Sequence, residues 1–600
     1  MTEERHAPAV LLAWQGELDF SQLLEYASEL EGNKQGILAA VLYQTWVKRT
    51  QSPFLHAAYF NLGAVLSNVG DVGGAEEAYR MAIKLVPNFL QPRINLGSLL
   101  EHAGKPEQAI SEWRWVEQNV SLAQPENKSL LLMAINNLGR VLESQKQFYE
   151  ALYYLTKSLS IEPDQDEVLH HWVYLRQKQC AWPIYDKVPR VSQAAMTRAT
   201  SALAMLSISD DPAAQLAAAQ RYVAKKVISN VPMLANPKGY GHSKIRIAYC
   251  SSDFSLHPVS MLTVEMFELH DREHFEVYAY CWSPQDGSAM RQRVINAMDH
   301  FIRIDHMTDE EAAQKIRADE IDILIDLQGQ TAGARANMLA YRPAPVQVTY
   351  LGQPATTGLP SIDYVIADHF LIPDETKQFY SEKPLYMPDV YQVSDRKRQA
   401  GPKPSRQSCG LPAEGFVFCS FNNNYKLTPE VFDVWMSILR RVPDSVLWML
   451  ADNTWAEDNL RREAEARGVD RNRLVFAGRV SPENYLARYL IADLFLDSFP
   501  FNAGTTANDA LWMGLPVLTC SGRSFASRMA GALLTAVGLN ELITYNFEDY
   551  EGQALYLARS PIEMQRIKNI LKQEKKDGSL FDSGKFVVNL EKLLVEIVKK

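Results

Sequence analysis

The feature that most constrains this chain is a repeat. Asn61 matches Asn95, Gly63 matches Gly97, Ala75 matches Ala109 and Tyr79 matches Trp113, each pair 34 residues apart. A third copy runs from Asn137 and Gly139 through Ala151 to Pro163, displaced by 42 residues, which puts about eight extra residues near Gln124–Lys128. Gly63 to Pro87 and Gly139 to Pro163 are both 24 residues apart. A period of this length is one supersecondary unit that cannot bury its own apolar face, so stacked copies must share a continuous core. Small residues at fixed places let two antiparallel helices approach closely, and the proline ends the second helix.

This spacing resembles the tetratricopeptide repeat. Residues 1–50 also read as helical, a degenerate repeat or a cap, and 164–235 read as helical with a break at Asp210-Asp211-Pro212. At PKGYGHSK (237–244) the pattern changes. Five short apolar, β-branched or aromatic runs follow: IRIAYC, FEVYAYC, IDILIDL, PVQVTYL and DYVIAD. Five more come after a Pro-, Gly- and Ser-rich segment at 393–415: FVFCSF, SVLWML, RLVFAG, LFLDSF and LPVLTC. Runs separated by helix-length segments imply βα units and parallel sheets. The expected fold is an α-helical repeat array followed by two α/β, Rossmann-like domains. The expected divisions are 1–165 for a helical region with repeats clear from about 55, 166–240 for a helical linker, 241–392 for the first Rossmann-like domain, 393–415 for a connector and 416–600 for the second domain with a terminal helix.

Ligands of such sheets bind beyond the C-terminal strand ends. There is no G-x-G-x-x-G after a first strand and no Walker-type loop, which disfavours a dinucleotide oxidoreductase or a nucleoside triphosphatase. The most informative turn is PFNAGTTANDALWMGLPVLT. Gly504 permits tight backbone geometry, and Thr505 and Thr506 precede a helix, a natural diphosphate cradle. Asp509 stands one turn in, where it can accept hydrogen bonds from ribose hydroxyls. The same residues also read as an ordinary N-cap with threonine as the capping residue.

With the repeats, the segments SSDFSLHPVSML, ARANMLAYRPAPVQVTYLGQPATTG, FCSFNNNYKLTPEVFDVWMSILRRVPDSVLWML and FNAGTTANDALWMGLPVLTCSGRSFASRMAGALL resemble the protein O-linked N-acetylglucosamine transferase family, in particular its bacterial SPINDLY-type members. The match covers about 243 to 560. The resemblance implies the two-domain GT-B fold and an inverting transfer of N-acetylglucosamine from UDP-GlcNAc to Ser or Thr hydroxyls of proteins. It implies Lys426 as the cation beside the nucleotide β-phosphate and His257 as a site residue, either general base or contact. It places Asn423 near the phosphates, Arg488 at a polar site position and Tyr485 where animal members have a histidine that stacks on the base. Gly504 also replaces a histidine of animal members, which leaves the sugar contacts open. Asn61, Asn95 and Asn137 recur in three successive first helices and resemble the family's acceptor-binding ladder, since an amide complements a peptide unit whatever its side chains. They also fit a purely structural consensus.

Composition closes off other classes. With 61 Lys+Arg against 71 Asp+Glu, a net charge of −10 argues against general nucleic-acid binding. The six cysteines are scattered with no C-x-x-C pair, so a zinc site or disulfide framework is not expected. The only D-x-D, Asp164-Gln165-Asp166, is remote from both sheets, and no metal or other cofactor is expected. No apolar run is long enough for a membrane span, and the acidic N-terminus does not read as a signal peptide, so a soluble, cytoplasmic chain is expected. The expected partners are a UDP-sugar and an acceptor protein on the repeats. Another donor (UDP-glucose or GDP-fucose) and an Asn acceptor stay open, as does a nucleotide-binding scaffold without turnover.

Overall fold

The computed structural model describes residues 3–121, 125 and 127–598. Two compact units result, one of Met1–Leu175 with Lys187–Met196 and one of Arg176–Asp186 with Thr197–Lys600.

In the first unit the repeats are antiparallel helix pairs: Leu55–Asn68 with Val72–Leu85, Leu90–His102 with Pro106–Asn119, and Asn127–Ser144 with Phe148–Ile161. The repeated glycines have a steric reason. A Cβ on Gly63 would stand 2.6 Å from the Tyr79 ring, one on Gly97 would strike Trp113, and one on Gly139 would strike Leu155. Ala75, Ala109 and Ala151 are fully buried at the same contacts. Pro87 and Pro163 follow the ends of their helices. The third pair opens with an 18-residue helix against 14 and 13 in the first two, so part of the extra length is helical. Of the insertion placed near Gln124–Lys128, residues 124 and 126 lie outside the described residues. Residues 20–49 form a further pair, Phe20–Gly32 with Gly36–Arg49.

The second unit holds two parallel sheets. The first has the order β3-β2-β1-β4-β5-β6-β7, with β1 (Ile245–Ser251), β2 (Phe275–Cys281), β3 (His300–Arg303), β4 (Ile323–Asp326), β5 (Val346–Thr349), β6 (Tyr364–Ala367) and β7 (Lys383–Tyr386). The second has the order β10-β9-β8-β11-β12-β13, with β8 (Val417–Ser420), β9 (Val446–Leu450), β10 (Leu474–Ala477), β11 (Leu494–Leu496), β12 (Val517–Cys520) and β13 (Ile543–Thr544). All ten expected strands are present, in two Rossmann-like domains. The chain order reverses between β1 and β4, and again between β8 and β11. Those switch points are where open α/β sheets bind ligands.

Two expected divisions change. The linker 166–240 is not a free tether. Its first helix, Asp166–Lys178, starts in the repeat unit, Cys180 is buried in the second Rossmann core with its thiol 3.4 Å from the Asn424 carbonyl, and Asn453 and Asn459 hold the carbonyls of Lys178 and Gln179 at 2.9 and 2.8 Å. The helix Pro212–Lys226 meets the first Rossmann domain, where Gln330 donates to the Ala219 carbonyl at 3.2 Å. Residues 416–600 are also not one domain. The last helix, Ser583–Val598, returns to the first sheet, where Phe586, Leu590, Leu594 and Ile597 join the core of Ile247, Tyr249 and Ile325. Its apolar stripe is complementary to the first domain, and sequence distance does not reveal that. No helix among the described residues is long and apolar enough to cross a membrane.

Candidate donor-binding cleft

The β8–β11 switch brings two turns together. The chain leaves β8 as Phe421–Lys426, ending in a 3-10 turn at Asn424–Lys426, and leaves β11 as Asp497–Gly504, which feeds the helix Thr505–Trp512. Between them lies a cavity of about 430 Å³. Its lining includes Asn423, Lys426, Tyr485, Arg488, Gly504, Thr505, Thr506 and Asp509, eight residues singled out from the sequence. Leu256, Pro258 and Met261 of the first Rossmann domain complete the wall, so the cavity lies between the two sheets.

The N-cap of the helix Thr505–Trp512 is Gly504, and no side chain caps it. The expectation of a threonine cap is therefore corrected. Thr506 instead donates its hydroxyl to the Asn422 side-chain amide oxygen, Oδ1, at 2.8 Å. The first-turn amides are left facing the cavity end, and an uncapped N-terminus attracts anions through its amides and its dipole.

Lys426 projects its ammonium over the Phe501 ring, 3.9 Å from the centroid, and donates to the Asn502 carbonyl at 2.9 Å. Burial brings its pKa down to about 8, against the opposing pull of Asp497. Asp497, fully buried at the end of β11, anchors the turn. It accepts from the amides of Ser498 and Ala503 at 2.8 and 2.7 Å and from the Thr519 hydroxyl at 2.7 Å. Burial holds its carboxyl above the usual carboxylate range, and Lys426 pulls it back.

Asp509 is paired with Arg398, a residue of the connector, which also donates to Asn508 at 2.9 Å. Burial raises the Asp509 pKa and this guanidinium opposes the rise. Ribose hydroxyls would therefore share a carboxylate that already has a partner. Tyr485 places its hydroxyl 2.5 Å from that of Tyr489, which in turn donates to the Thr506 carbonyl at 3.2 Å. Arg488 donates to the Gly478 carbonyl at 2.7 Å and lies 6.0 Å from the Trp448 ring. It braces the loop after β10 as well as lining the cavity.

Across the cleft, β1 ends at Ser251, and SSDFSLHP turns into the helix Pro258–Leu269, whose N-cap is His257. Leu256 and Pro258, the neighbours of His257, line the cavity, and His257 itself is not part of the lining. Its Nδ1 accepts from the Val259 amide at 3.3 Å and stands 3.5 Å from Asp253 Oδ2. Burial lowers the His257 pKa while Asp253 raises it, so the ring is neutral near pH 7. The turn is locked by Gln328, whose side-chain oxygen accepts from the Ser252 amide at 3.0 Å and the Ser251 hydroxyl at 3.2 Å.

Asn61, Asn95 and Asn137 belong to the repeat unit and are half-buried in the first helices of their pairs. Asn61 partners the Tyr43 hydroxyl and Asn95 the Tyr79 hydroxyl, each from the second helix of the preceding pair. The amides thus also tie one repeat to the next.

Four residues escaped the sequence reading. Asp253 was detectable as the i−4 neighbour of His257, and Asn422 as part of FNNNYK. Asp497 read as part of a strand, and Arg398 carries no local signal at all.

Residues 214–401 and 401–590 match glycosyl transferase family 41, and residues 131–161 match a tetratricopeptide repeat. Over 399 residues the chain is 36% identical to the probable UDP-N-acetylglucosamine–peptide N-acetylglucosaminyltransferase SEC of Arabidopsis thaliana, covering 64% of this chain and 41% of that protein. It is 32% identical over 354 residues to the probable SPINDLY enzyme of the same description from Petunia hybrida, covering 58% of this chain and 38% of that protein. The chain thus spans about two fifths of the length of these curated relatives. A mutant of the Thermobaculum terrenum O-GlcNAc transferase aligns with 100% of this chain and 99% of its own at a TM-score of 0.61 and 24% identity, a likeness that bears on the fold. With both sheets inside the matched segments, the chain belongs to glycosyl transferase family 41.

Proposed function

We propose that the chain transfers N-acetylglucosamine from UDP-GlcNAc to Ser or Thr hydroxyls of proteins, with inversion. The observation that carries this reading is the meeting of Lys426 with the uncapped helix Thr505–Trp512 at one cavity, whose far wall flanks His257. The names of the relatives support the donor.

In this reading the diphosphate sits against the first-turn amides and Lys426. Asp509 accepts from the ribose, and the Tyr485 ring takes the base. A neutral His257 removes the proton of the acceptor hydroxyl. The oxygen then attacks the anomeric carbon from the face opposite the leaving group, forming the new C–O bond as the bond to the β-phosphate oxygen breaks. Charge growing on that oxygen is met by Lys426 and the helix terminus. A cation and a helix dipole already facing the diphosphate supply what a divalent ion otherwise supplies, so the proposed transfer is metal-independent. The repeat array holds the acceptor, with Asn61, Asn95 and Asn137 on its backbone.

Gly504 keeps a second reading alive, in which the same cleft uses a different sugar nucleotide. A panel of UDP- and GDP-sugars, assayed for transfer with and without EDTA and followed by mass spectrometry of acceptor proteins, decides between them. Turnover only with another donor overturns UDP-GlcNAc. Loss in EDTA restored by a divalent ion overturns the metal-free step. No turnover with any donor leaves a nucleotide-binding scaffold.

A further inference from the structure

Arg398 reaches from the connector to the helix Thr505–Trp512. Its side chain is 8% exposed and does not line the cavity. The guanidinium is spent on three acceptors. Nε donates to the Asp395 carbonyl at 2.8 Å, one terminal nitrogen to the Asn508 side-chain oxygen at 2.9 Å, and the other to Asp509 Oδ1. The segment that presents it is itself pinned. Asp395 accepts from Arg293 at 2.6 and 3.0 Å, the Arg396 amide donates to the buried Glu265 at 2.7 Å, and Asn508 returns a hydrogen bond to the Ser394 hydroxyl at 2.7 Å.

The pairing with Asp509 is one-sided. Arg398 engages Oδ1, while Oδ2 accepts no hydrogen bond from the described residues and is not enclosed. Asp509 lines the cavity, so Oδ2 is the oxygen left to a ligand there. Burial favours the neutral carboxyl, and the guanidinium opposes it. An ionised carboxylate oxygen held at a cavity wall accepts from hydroxyl donors and repels phosphate, so it matches the diol of a ribose and not the diphosphate. Resting on the donor reading above, we infer that Arg398 is a positioning residue for the nucleotide ribose: by holding Oδ1 it fixes the rotamer of Asp509 and presents Oδ2 to the ribose hydroxyls. The connector thereby takes part in reading the nucleotide without touching it.

The test is calorimetric binding of UDP, 2′-deoxy-UDP and 3′-deoxy-UDP to the full chain as wild type, Arg398→Met, Arg398→Lys and Asp509→Asn, with melting curves to confirm folding. The readout is the ratio of UDP to deoxy affinity, which a mere loss of stability does not move. The wild type should favour UDP over at least one deoxy analogue by about tenfold, the worth of a hydrogen bond to a charged group. Arg398→Met should bring that ratio to within about threefold of unity. Arg398→Lys should give an intermediate ratio, because an ammonium reaches Asp509 without forking to Asn508. If Arg398→Met does not fold, Arg398→Lys carries the test, since it leaves no buried carboxylate unpaired. Adding Arg398→Met to Asp509→Asn should lower the ratio no further, as expected of a residue that acts through Asp509. A wild-type ratio in Arg398→Met, or in Arg398→Lys where that variant stands alone, overturns the inference. An equal loss for UDP and its deoxy analogues makes Arg398 a brace for the helix and also overturns it, as does a further fall in the double variant. A wild-type chain that binds UDP and both analogues equally overturns the inference and leaves the donor reading standing. One that binds no UDP overturns both.

Discussion

Replacing Lys426 by alanine tests the proposed reaction at its most charged point. As UDP departs, negative charge gathers on the β-phosphate oxygen, whereas the bound donor already spreads its charge over two phosphates. An ammonium fixed between the Phe501 ring and the Asn502 carbonyl, 3.9 and 2.9 Å away, therefore favours the transition state over the ground state. Loss of one preorganised group of this kind costs about 2.7 to 4 kcal/mol. Turnover should then fall about 100- to 1000-fold, because each tenfold step in rate is about 1.4 kcal/mol. UDP affinity should fall less, since the helix amides remain. Folding should survive as well. Burial already disfavours the ammonium, bringing its pKa down to about 8, and the neighbouring Asp497 is in surroundings that favour its protonated form. Lys426→Arg should rescue poorly, because a planar fork does not replace a compact ammonium in that slot. The assay is single-turnover transfer and UDP calorimetry on the same preparations, with thermal melts as the control. A folded Lys426→Ala that turns over at the wild-type rate removes this residue from the mechanism.

Three other variants probe the cleft wall and the repeats. Asp253 raises the His257 pKa against burial, so Asp253→Asn should lower it and move the acid limb of kcat/KM to lower pH. A limb that stays in place or moves up refutes the coupling. Replacing Asn61, Asn95 and Asn137 together by alanine should raise the KM for protein acceptors while donor hydrolysis stays near wild type. It should also cost roughly 1 kcal/mol for each lost tyrosine partner in denaturant melts. Equal loss of both activities in a folded protein ends the ladder reading. Gly63→Ala gains about 1 kcal/mol of helix propensity. Its Cβ meets the buried Tyr79 ring at 2.6 Å, and overpacking of that kind typically costs 1 to 3 kcal/mol, so net destabilisation is expected in chemical denaturation. A stabilised variant would show that the helices need not approach so closely.

The repeats, the nine inner strands and the edge strand β10 were legible because each carries a pattern that a short window contains. β3, β7 and β13 were not, and all three are edge strands. An edge strand needs apolar residues on fewer sides, and HFIR (300–303) and KPLY (383–386) read as polar connections. Six of the eight cavity residues were legible for a related reason, while Tyr485 and Arg488 were placed by the family resemblance alone. FNNNYK and NAGTTANDA follow strands, and the sheet order carries both to one switch point. Arg398 and the helix Ser583–Val598 act at the far end of long connections. No local pattern marks a guanidinium that meets a carboxylate 111 positions away, or a helix whose partner strand lies more than 300 positions earlier.

Asp497 draws these threads together, because it joins the geometry of the cradle to the charge of Lys426. Its folded pKa is raised above the ordinary carboxylate value, so its contribution to stability is present at low pH and is lost as pH rises through the folded value. At neutral pH and above, the ionised form is a cost to the fold. Asp497→Asn removes that cost and keeps the wiring. The amide oxygen can still accept from Ser498 and Ala503, and its nitrogen can donate to the Thr519 hydroxyl. Melting near pH 8 should be unchanged or higher. Activity should behave differently, since Asp497 is the charge that holds the Lys426 pKa up against burial. Without it the ammonium is lost at lower pH, and the alkaline limb of kcat should move to lower pH than in the wild type. A melting curve and an alkaline limb that both stay where they were would make Asp497 an anchor for the turn and nothing more. A limb that moves down in a protein that melts no earlier assigns it the second task, keeping charged the group on which departure of UDP depends.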